Sequence, residues 1–213
     1  MQEVGGGRRP SRRDRQDAQT RRDVVAAATE LFGEVGWTAT TIAAVAQRAD
    51  VSPETIYKAF GSKKMLLKAA LDVSLAGDDE PVSVAARLDE EALSTGPIHD
   101  RVRALVEFTV DVHARTSGLW HSVVEAAASD PDVEALRSAT ERARRDDARN
   151  ALVHVLGRDA EDQLVDITWL LCDPQVYSKL TRDLGFGRHD CIATLTAALD
   201  AVITGSRPVD DPT

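Results

Sequence analysis

Apolar residues recur at intervals of three and four along almost the whole chain, and no stretch alternates in the period-two, β-branched manner of a strand. An all-α fold is expected. The first helix is predicted from about Asp17 to Val35, on Val24, Val25, Ala28, Leu31, Phe32 and Val35. Gly36 is placed to end it in a left-handed cap, with Trp37 packing back on Phe32 as the apolar contact of a Schellman motif. Two short helices follow. Thr40 is the expected N-cap for Thr41 to about Ala49, whose inward face is Ile42, Val45 and Ala46. After the link Asp50-Val51, Ser52 caps a helix with Pro53 at its first position, where the missing N–H costs nothing. It reaches Phe60, and Gly61 ends it. Ser62 caps a fourth helix, Lys63 to about Leu75, apolar at Met65, Leu66, Ala69 and Val73. Gly77 to Pro97, polar and broken by two prolines, reads as a linker with room for one short helix. Helices are then expected near 98–116, 118–129, 131–156, 159–184 and 188–204, with Pro174 breaking the fourth of these at Asp173.

This pattern divides the chain into a disordered basic arm, 1–15, a three-helix unit, 16–62, a larger helical body, 63–205, entered through a connecting helix at 63–76, and a frayed tail, 206–213. The short helix, tight link and short helix at 40–60 carry the chemistry. Pro53 to Phe60 would be roughly 12 Å long at 1.5 Å per residue, about the width of the DNA major groove. A wheel at about 100° per residue turns Ile56, Phe60 and Pro53 toward the core and Glu54 and Lys58 away from it, with Tyr57 and Thr55 flanking the outward pair.

On that surface Lys58 can donate to guanine O6 and N7, and Glu54 can accept from cytosine N4 or repel backbone phosphate from a wrong register. The plain alternative is an exposed Glu–Lys pair four residues apart. Flanking hydroxyls can reach phosphates on the groove walls. Lys63 and Lys64 follow the Ser62 cap, where free amides and the positive dipole end can form an anion site; ordinary solvated lysines are the alternative. Thr40 and Thr41 offer a second phosphate clamp, or simply caps.

These residues resemble a family. Thr40 to Leu67, T-T-I-A-x-V-A-x-x-A-x-V-S-P-E-T-I-Y-x-x-F-G-S-K-x-x-L-L, is similar to the DNA-binding domain of the TetR family of bacterial transcription regulators, and A-A-x-x-L-F-x-E-x-G-W, Ala27 to Trp37, is similar to the end of that family's first helix. The resemblance covers about 50 contiguous residues. It implies an all-helical homodimer with an N-terminal helix-turn-helix domain and a larger C-terminal domain enclosing a small-effector pocket. It assigns phosphate contacts to Thr40, Thr41, Ser52, Tyr57 and Lys63, and base-facing positions to Pro53, Glu54 and Lys58. Asp173 to Phe186, D-P-Q-V-Y-S-K-L…G-F, also resembles a pattern near the last helix of many members. A ligand-released repressor on a near-palindromic operator is the function it implies.

In the last helix Ile192, Leu195, Leu199 and Val202 form a narrow stripe, and Leu164, Ile167, Leu171, Val176, Leu180 and Leu184 another before it. They read either as the seam of an intersubunit four-helix bundle or as internal core; the resemblance favours the dimer. Candidate pocket residues are Phe108, Val112, Trp120, Val124, Trp169 and Tyr177, with His113, His121, Glu125 and Cys172 as polar handles. A moderately apolar small molecule would suit them.

Composition narrows the alternatives. The chain has 213 residues and is 43% hydrophobic, enough for a packed core, yet no apolar run approaches the length of a membrane span. Two cysteines, Cys172 and Cys191, are too few for a disulfide framework, so a reduced cytoplasmic protein is expected. Residues 1–75 hold 12 Lys and Arg against 9 Asp and Glu, a net of +3; residues 76–213 hold 14 against 26, a net of −12. A basic end on an acidic body suits a polyanion partner at one end. Arg8, Arg9, Arg12, Arg13 and Arg15 of the arm can follow phosphates or trail in solvent. No nucleophile elbow, phosphate loop, dinucleotide fingerprint or metal motif is present, and His99, His113, His121, His154 and His189 have no ligand spacing. No cofactor, metal or catalytic residue is therefore expected. The rival to a ligand-responsive regulator is a dimeric architectural DNA-binding protein without an effector.

Overall fold

A computed structural model describes residues 11–76 and 88–205 of the chain. Among the described residues the fold is all-α, with no strand, and no helix is long and apolar enough to cross a membrane. Arg8 and Arg9 of the expected arm, the first half of the linker and the tail 206–213 lie outside the described residues.

The first helix, α1 (Arg12–Ala39), begins earlier than the apolar pattern suggests. Ser11 closes a capping box: its hydroxyl accepts from the Asp14 amide at 3.1 Å, and Asp14 accepts from the Ser11 amide at 2.8 Å. Arg12, Arg13 and Arg15 are therefore helical and exposed rather than part of a disordered arm. Local capping set this boundary, which a search for buried positions passes over. The other end bends at Gly36, with φ 80° and ψ −179°. Positive φ is found where expected, but in an extended rather than a left-handed helical conformation, so one more turn follows. Trp37 does return to Phe32, ring on ring at 5.9 Å and 15°. Val35, expected inside, is half exposed.

Three short elements complete the N-terminal cluster: α2 (Ile42–Arg48), α3 (Pro53–Phe60) and α4 (Lys63–Ala76). Val24, Ala28, Phe32, Val45, Ile56, Leu66, Leu67 and Ala70 are at most 2% exposed and form its centre. The linker contains one short helix, α5 (Glu90–Ser94), capped by Asp89, whose carboxylate accepts from the Ala92 amide.

The body is built on α6 (Ile98–Ala127), 30 residues without the break expected near Gly118. Its N-terminal half (Val102, Leu105, Val106, Val110) packs with α7 (Pro131–Leu156), α8 (Asp162–Leu171) and α10 (Arg188–Gly205) in a second cluster; its C-terminal half (Leu119, Trp120, Val123, Ala126) packs in the first. Gly118 is a packing residue. A Cβ there would lie 3.0 Å from the Gly33 Cα and 3.2 Å from its carbonyl oxygen, so α1 and α6 touch backbone to backbone. Gly118→Ala is expected to cost about 1–3 kcal/mol, because backbone cannot rotate away as a side chain can. Gly33→Ala, whose Cβ would meet open space, should be neutral or gain up to about 1 kcal/mol of helix propensity. Urea melts of the two variants check this; equal losses would contradict the close crossing.

The break at Pro174 is found. Asp173 caps α9 (Pro174–Ser178), its carboxylate accepting from Gln175 at 2.7 Å, and a π turn at Lys179–Asp183 carries the chain toward α10. The expected dimer seam is corrected: Ile192, Leu195 and Leu199 are at most 5% exposed within a single chain, and Leu164 is buried beside them. That stripe is spent on the chain's own core. The face of α10 left outside is Ala193, Thr194, Ala197 and Ala201.

Candidate nucleic-acid interface

The pair α2 and α3 is set by its caps. Thr41 accepts from the Ala44 amide at 3.0 Å, and Ser52 accepts from the Thr55 amide at 3.3 Å with the Thr55 hydroxyl 3.2 Å away. Pro53 opens α3, and Gly61, at φ 79°, closes it. Ile56 and Phe60 anchor α3 inward, while Glu54, Tyr57 and Lys58 are exposed; Tyr57 is 54% exposed, unusual for an aromatic side chain beside a core. Pro53 is exposed too, against its place on the wheel, because a wheel gives direction but not the extent of the wall opposite. Thr55 is half-buried.

Charge around α3 is arranged from its own ends. The Glu54 carboxylate is held below the usual glutamate range by its own backbone N–H first and then by the Ser52 hydroxyl, so it stays ionised against the helix N-terminus. At the other end Arg21 of α1 donates to the Ala59 carbonyl at 2.9 Å, with its guanidinium 4.3 Å over the Phe60 ring. A cation thus satisfies the negative end of α3. Its sequence distance of 38 residues hides it from a motif search.

Three of the residues expected to meet phosphates have partners within the protein. Thr40 is 1% exposed, and its hydroxyl donates to the Gly36 carbonyl at 2.7 Å, stitching the corner between α1 and α2. Lys63 turns inward: its ammonium donates to the Trp37 carbonyl and lies 4.2 Å over the Trp37 ring. Burial lowers its pKa, opposed by the charge of Glu125. Lys64 is tied to the carboxylates of Asp132, by a hydrogen bond that raises its pKa, and of Asp130, at 3.6 Å. Both ammonium groups have protein partners, so they do not converge on an anion site in this conformation. Thr41, Ser52, Glu54, Tyr57 and Lys58 are exposed.

The proposed effector residues fall into several places rather than one. Trp120 and Val124 pack in the first cluster, and His121 is exposed. Glu125, expected as a pocket handle, instead accepts from the Trp37 amide at 2.7 Å and the Thr38 amide at 3.0 Å. Phe108 is half-buried, and Val112 buried, on the opposite half of α6. His113, Trp169, Cys172 and Tyr177 do gather, around Arg144 of α7. Arg144 donates to Glu141 at 2.6 Å, to Asp173 at 3.1 Å and to the Cys172 carbonyl at 2.7 Å; Trp169 donates to Glu141 at 3.2 Å. His113 lies 2.9 Å from the same Cys172 carbonyl, its ring 6.0 Å from Tyr177. Burial pushes the Cys172 thiol up to about 11, so it is no nucleophile at neutral pH. An open surface hollow of about 620 Å³ lies elsewhere, between Arg149 and Asp162.

Residues 24–70 match the family described as bacterial regulatory proteins, tetR family. Among solved structures the chain is similar to a transcriptional regulator from Rhodococcus sp. Rha1, at 16% identity and a TM-score of 0.64 over 87% of this chain and 96% of that one. It is also similar to a TetR-like transcriptional regulator from Rhodococcus sp. RHA1, at 16% identity and 0.59 over 93% and 100%. A third similar structure is a TetR family transcriptional regulator, PfmR, from Thermus thermophilus, at 18% identity and 0.57 over 94% and 100%. At these identities the likeness is one of fold. No curated protein matches the chain.

Proposed function

Because its helix-turn-helix domain belongs to the tetR family of bacterial regulatory proteins, and the rest of the chain takes the all-helical fold of such regulators, we propose that this protein is a transcriptional repressor that binds a near-palindromic operator as a homodimer and is released by a small molecule. The carrying observation is α3: eight residues anchored by Ile56 and Phe60, with Glu54, Tyr57 and Lys58 exposed. A helix-turn-helix unit at 16–62 would present α3 to DNA from a body at 63–205. Thr41, Ser52, Thr55 and Tyr57 would meet phosphates, Lys58 base edges, and Pro53 the sugar or base surface at the N-terminus of α3.

Dimerisation would use the outward faces of α8 and α10. Ala193, Ala197 and Ala201 permit close helix approach, and Leu170 of α8 is 55% exposed. A two-fold dimer would hold its α3 helices about 34–36 Å apart, hence a near-palindrome. The effector would enter among α6, α7 and α8, where His113, Trp169, Cys172 and Tyr177 surround the Arg144 network. It can release DNA only through different affinities for the two conformations.

The experiment is selection of duplexes from a randomised library by the full-length protein, followed by titration of variants. Tyr57→Phe is expected to weaken cognate and random duplexes alike, since it removes a phosphate contact. Lys58→Ala is expected to cost about 1–3 kcal/mol on the cognate duplex and to relax preference at one base position. Equal losses on both duplexes for both variants would overturn these roles, and failure to enrich any sequence would overturn DNA regulation.

A further inference from the structure

We propose that Glu125 is a positioning residue that locks the helix-turn-helix unit to α6 through the corner at 36–40 and so sets the placement of α3. The inference rests on α3 as the DNA-contacting helix and names how its placement is controlled.

The lock is built around one peptide. Both oxygens of the Glu125 carboxylate accept from consecutive backbone amides, those of Trp37 and Thr38, at 2.7 and 3.0 Å. Charge-assisted bonds of this kind are about twice as strong as neutral ones. The carboxylate is held below the usual glutamate range by the Thr38 hydroxyl first and then by these amides, so it is anionic at neutral pH. From the opposite side, Lys63 at the start of α4 donates to the carbonyl of Trp37. The Trp37 residue is thus held at its N–H by α6 and at its C=O by α4. Thr40, immediately before the Thr41 cap of α2, donates to the Gly36 carbonyl. Within the five residues 36–40 the end of α1 is thus bonded to α6 through Glu125, to α4 through Lys63 and to the start of α2 through Thr40.

Glycine is favoured at position 36 by its backbone, and a side chain there would displace the Glu125 carboxylate. The Gly36 backbone conformation is nearly restricted to glycine, and a Cβ would sit 2.8 Å from the Glu125 Oε2. The corner is shaped to admit the carboxylate. Two further contacts lie on the same face of α6: the Ser122 hydroxyl donates to the Phe32 carbonyl at 2.7 Å, and Gly118 touches Gly33. With Glu125 they recur at four and three residues, one stripe along the helix. All three grip backbone, so they leave little slack for α6 to slide without moving α1 and the corner. The other half of α6 is embedded in the second cluster, where Cys172 and Arg144 meet His113.

The test uses full-length protein and a duplex that the wild type has enriched from a randomised library. In E125A, hydrogen exchange at the Trp37 and Thr38 amides is expected to accelerate at least about tenfold. The ratio of affinities for the enriched and a random duplex is expected to fall about tenfold, with helical content unchanged; E125Q, which keeps the shape and one accepting oxygen, should fall between E125A and wild type. A residue that only stabilised the fold would lower the folded fraction and affect both duplexes equally, leaving that ratio unmoved. If E125A does not fold, E125Q alone decides. Unchanged exchange at both amides would show that no lock exists, and faster exchange with an unchanged affinity ratio would show that it does not position α3. If the wild type enriches no duplex, the DNA reading fails, whereas either of those results with an enriched duplex in hand overturns this proposal alone.

Discussion

Phe32→Ala is expected to destabilise the chain by about 3–5 kcal/mol, the range for truncating a fully buried aromatic residue. Phe32 has no exposed surface and stands in the first cluster with Val24, Ile56 and Phe60. Its ring supports Trp37, stacked at 5.9 Å, and its carbonyl accepts from Ser122 of α6. Truncation removes apolar area and leaves a cavity that cannot readily collapse, since Gly118 and Gly33 already hold α1 against α6 at van der Waals contact. The loss is comparable to the whole stability of many domains, about 5–15 kcal/mol. DNA binding should fail with it, because Trp37 carries the peptide on which the corner is hung. Urea unfolding followed by circular dichroism measures the change. A loss below about 1 kcal/mol would mean that the cluster is loosely packed and that the close α1–α6 crossing is wrong.

Acid should destabilise the protein through His113. The side chain is 6% exposed, and burial first, with the charge of Arg144 adding to it, lowers its pKa to about 4 from 6.5; the Cys172 carbonyl and Asp173 oppose the shift. A carbonyl can only accept, so His113 Nε2 carries the proton and donates to it. Nδ1 is left a buried acceptor without a hydrogen-bond partner among the described residues. Above pH 6.5 the imidazole is neutral folded or unfolded, and it adds no pH dependence. Between 6.5 and 4 the unfolded chain binds a proton that the folded chain refuses, so stability falls as pH falls. Below 4 both states are protonated and the contribution levels. At about 1.4 kcal/mol per unit, the full effect is about 3 kcal/mol. Carboxylates titrate over the lower part of this window, so the informative quantity is the difference between wild type and His113→Leu. The Cys172 carbonyl keeps its bond from Arg144 in that variant. The variant should lose less stability between about pH 7 and pH 5; equal losses in the two proteins would place a protonated imidazole in the folded state.

Much of the N-terminal geometry was legible because its signals are local. Ser52, Pro53 and Gly61 bound α3 through backbone rules that act within four residues, and Ile56 and Phe60 set its inward face by periodicity alone. The stop at Asp173-Pro174 is of the same kind. Local signals decide less where a residue type suits two tasks. Lysines behind a helix cap can bind an external anion, but Lys63 found an internal carbonyl and indole face, and Lys64 two aspartates 66 and 68 residues away by number. A heptad-like stripe at Ile192, Leu195 and Leu199 fits a partner helix from another subunit or from the same chain, and the same chain supplied it.

By itself the sequence determined the helical class, the caps of α3 and its amphipathic face, since hydrogen bonds to the next turn and burial of a stripe depend on neighbours three and four residues apart; the Ser11 cap of α1, and Thr41 rather than Thr40 as the cap of α2, came from the structure. It also carried a match to the model of bacterial regulatory proteins, tetR family, over 47 residues from 24 to 70. Only the tertiary structure decided that α6 runs unbroken past Gly118, that Glu125 reaches back 88 residues to Trp37, and that His113 is sealed against Cys172. Those choices follow from which surfaces meet when helices pack: a glycine breaks a helix in isolation but permits the closest crossing when another glycine lies opposite. A glutamate or histidine takes its role from the groups that burial sets beside it.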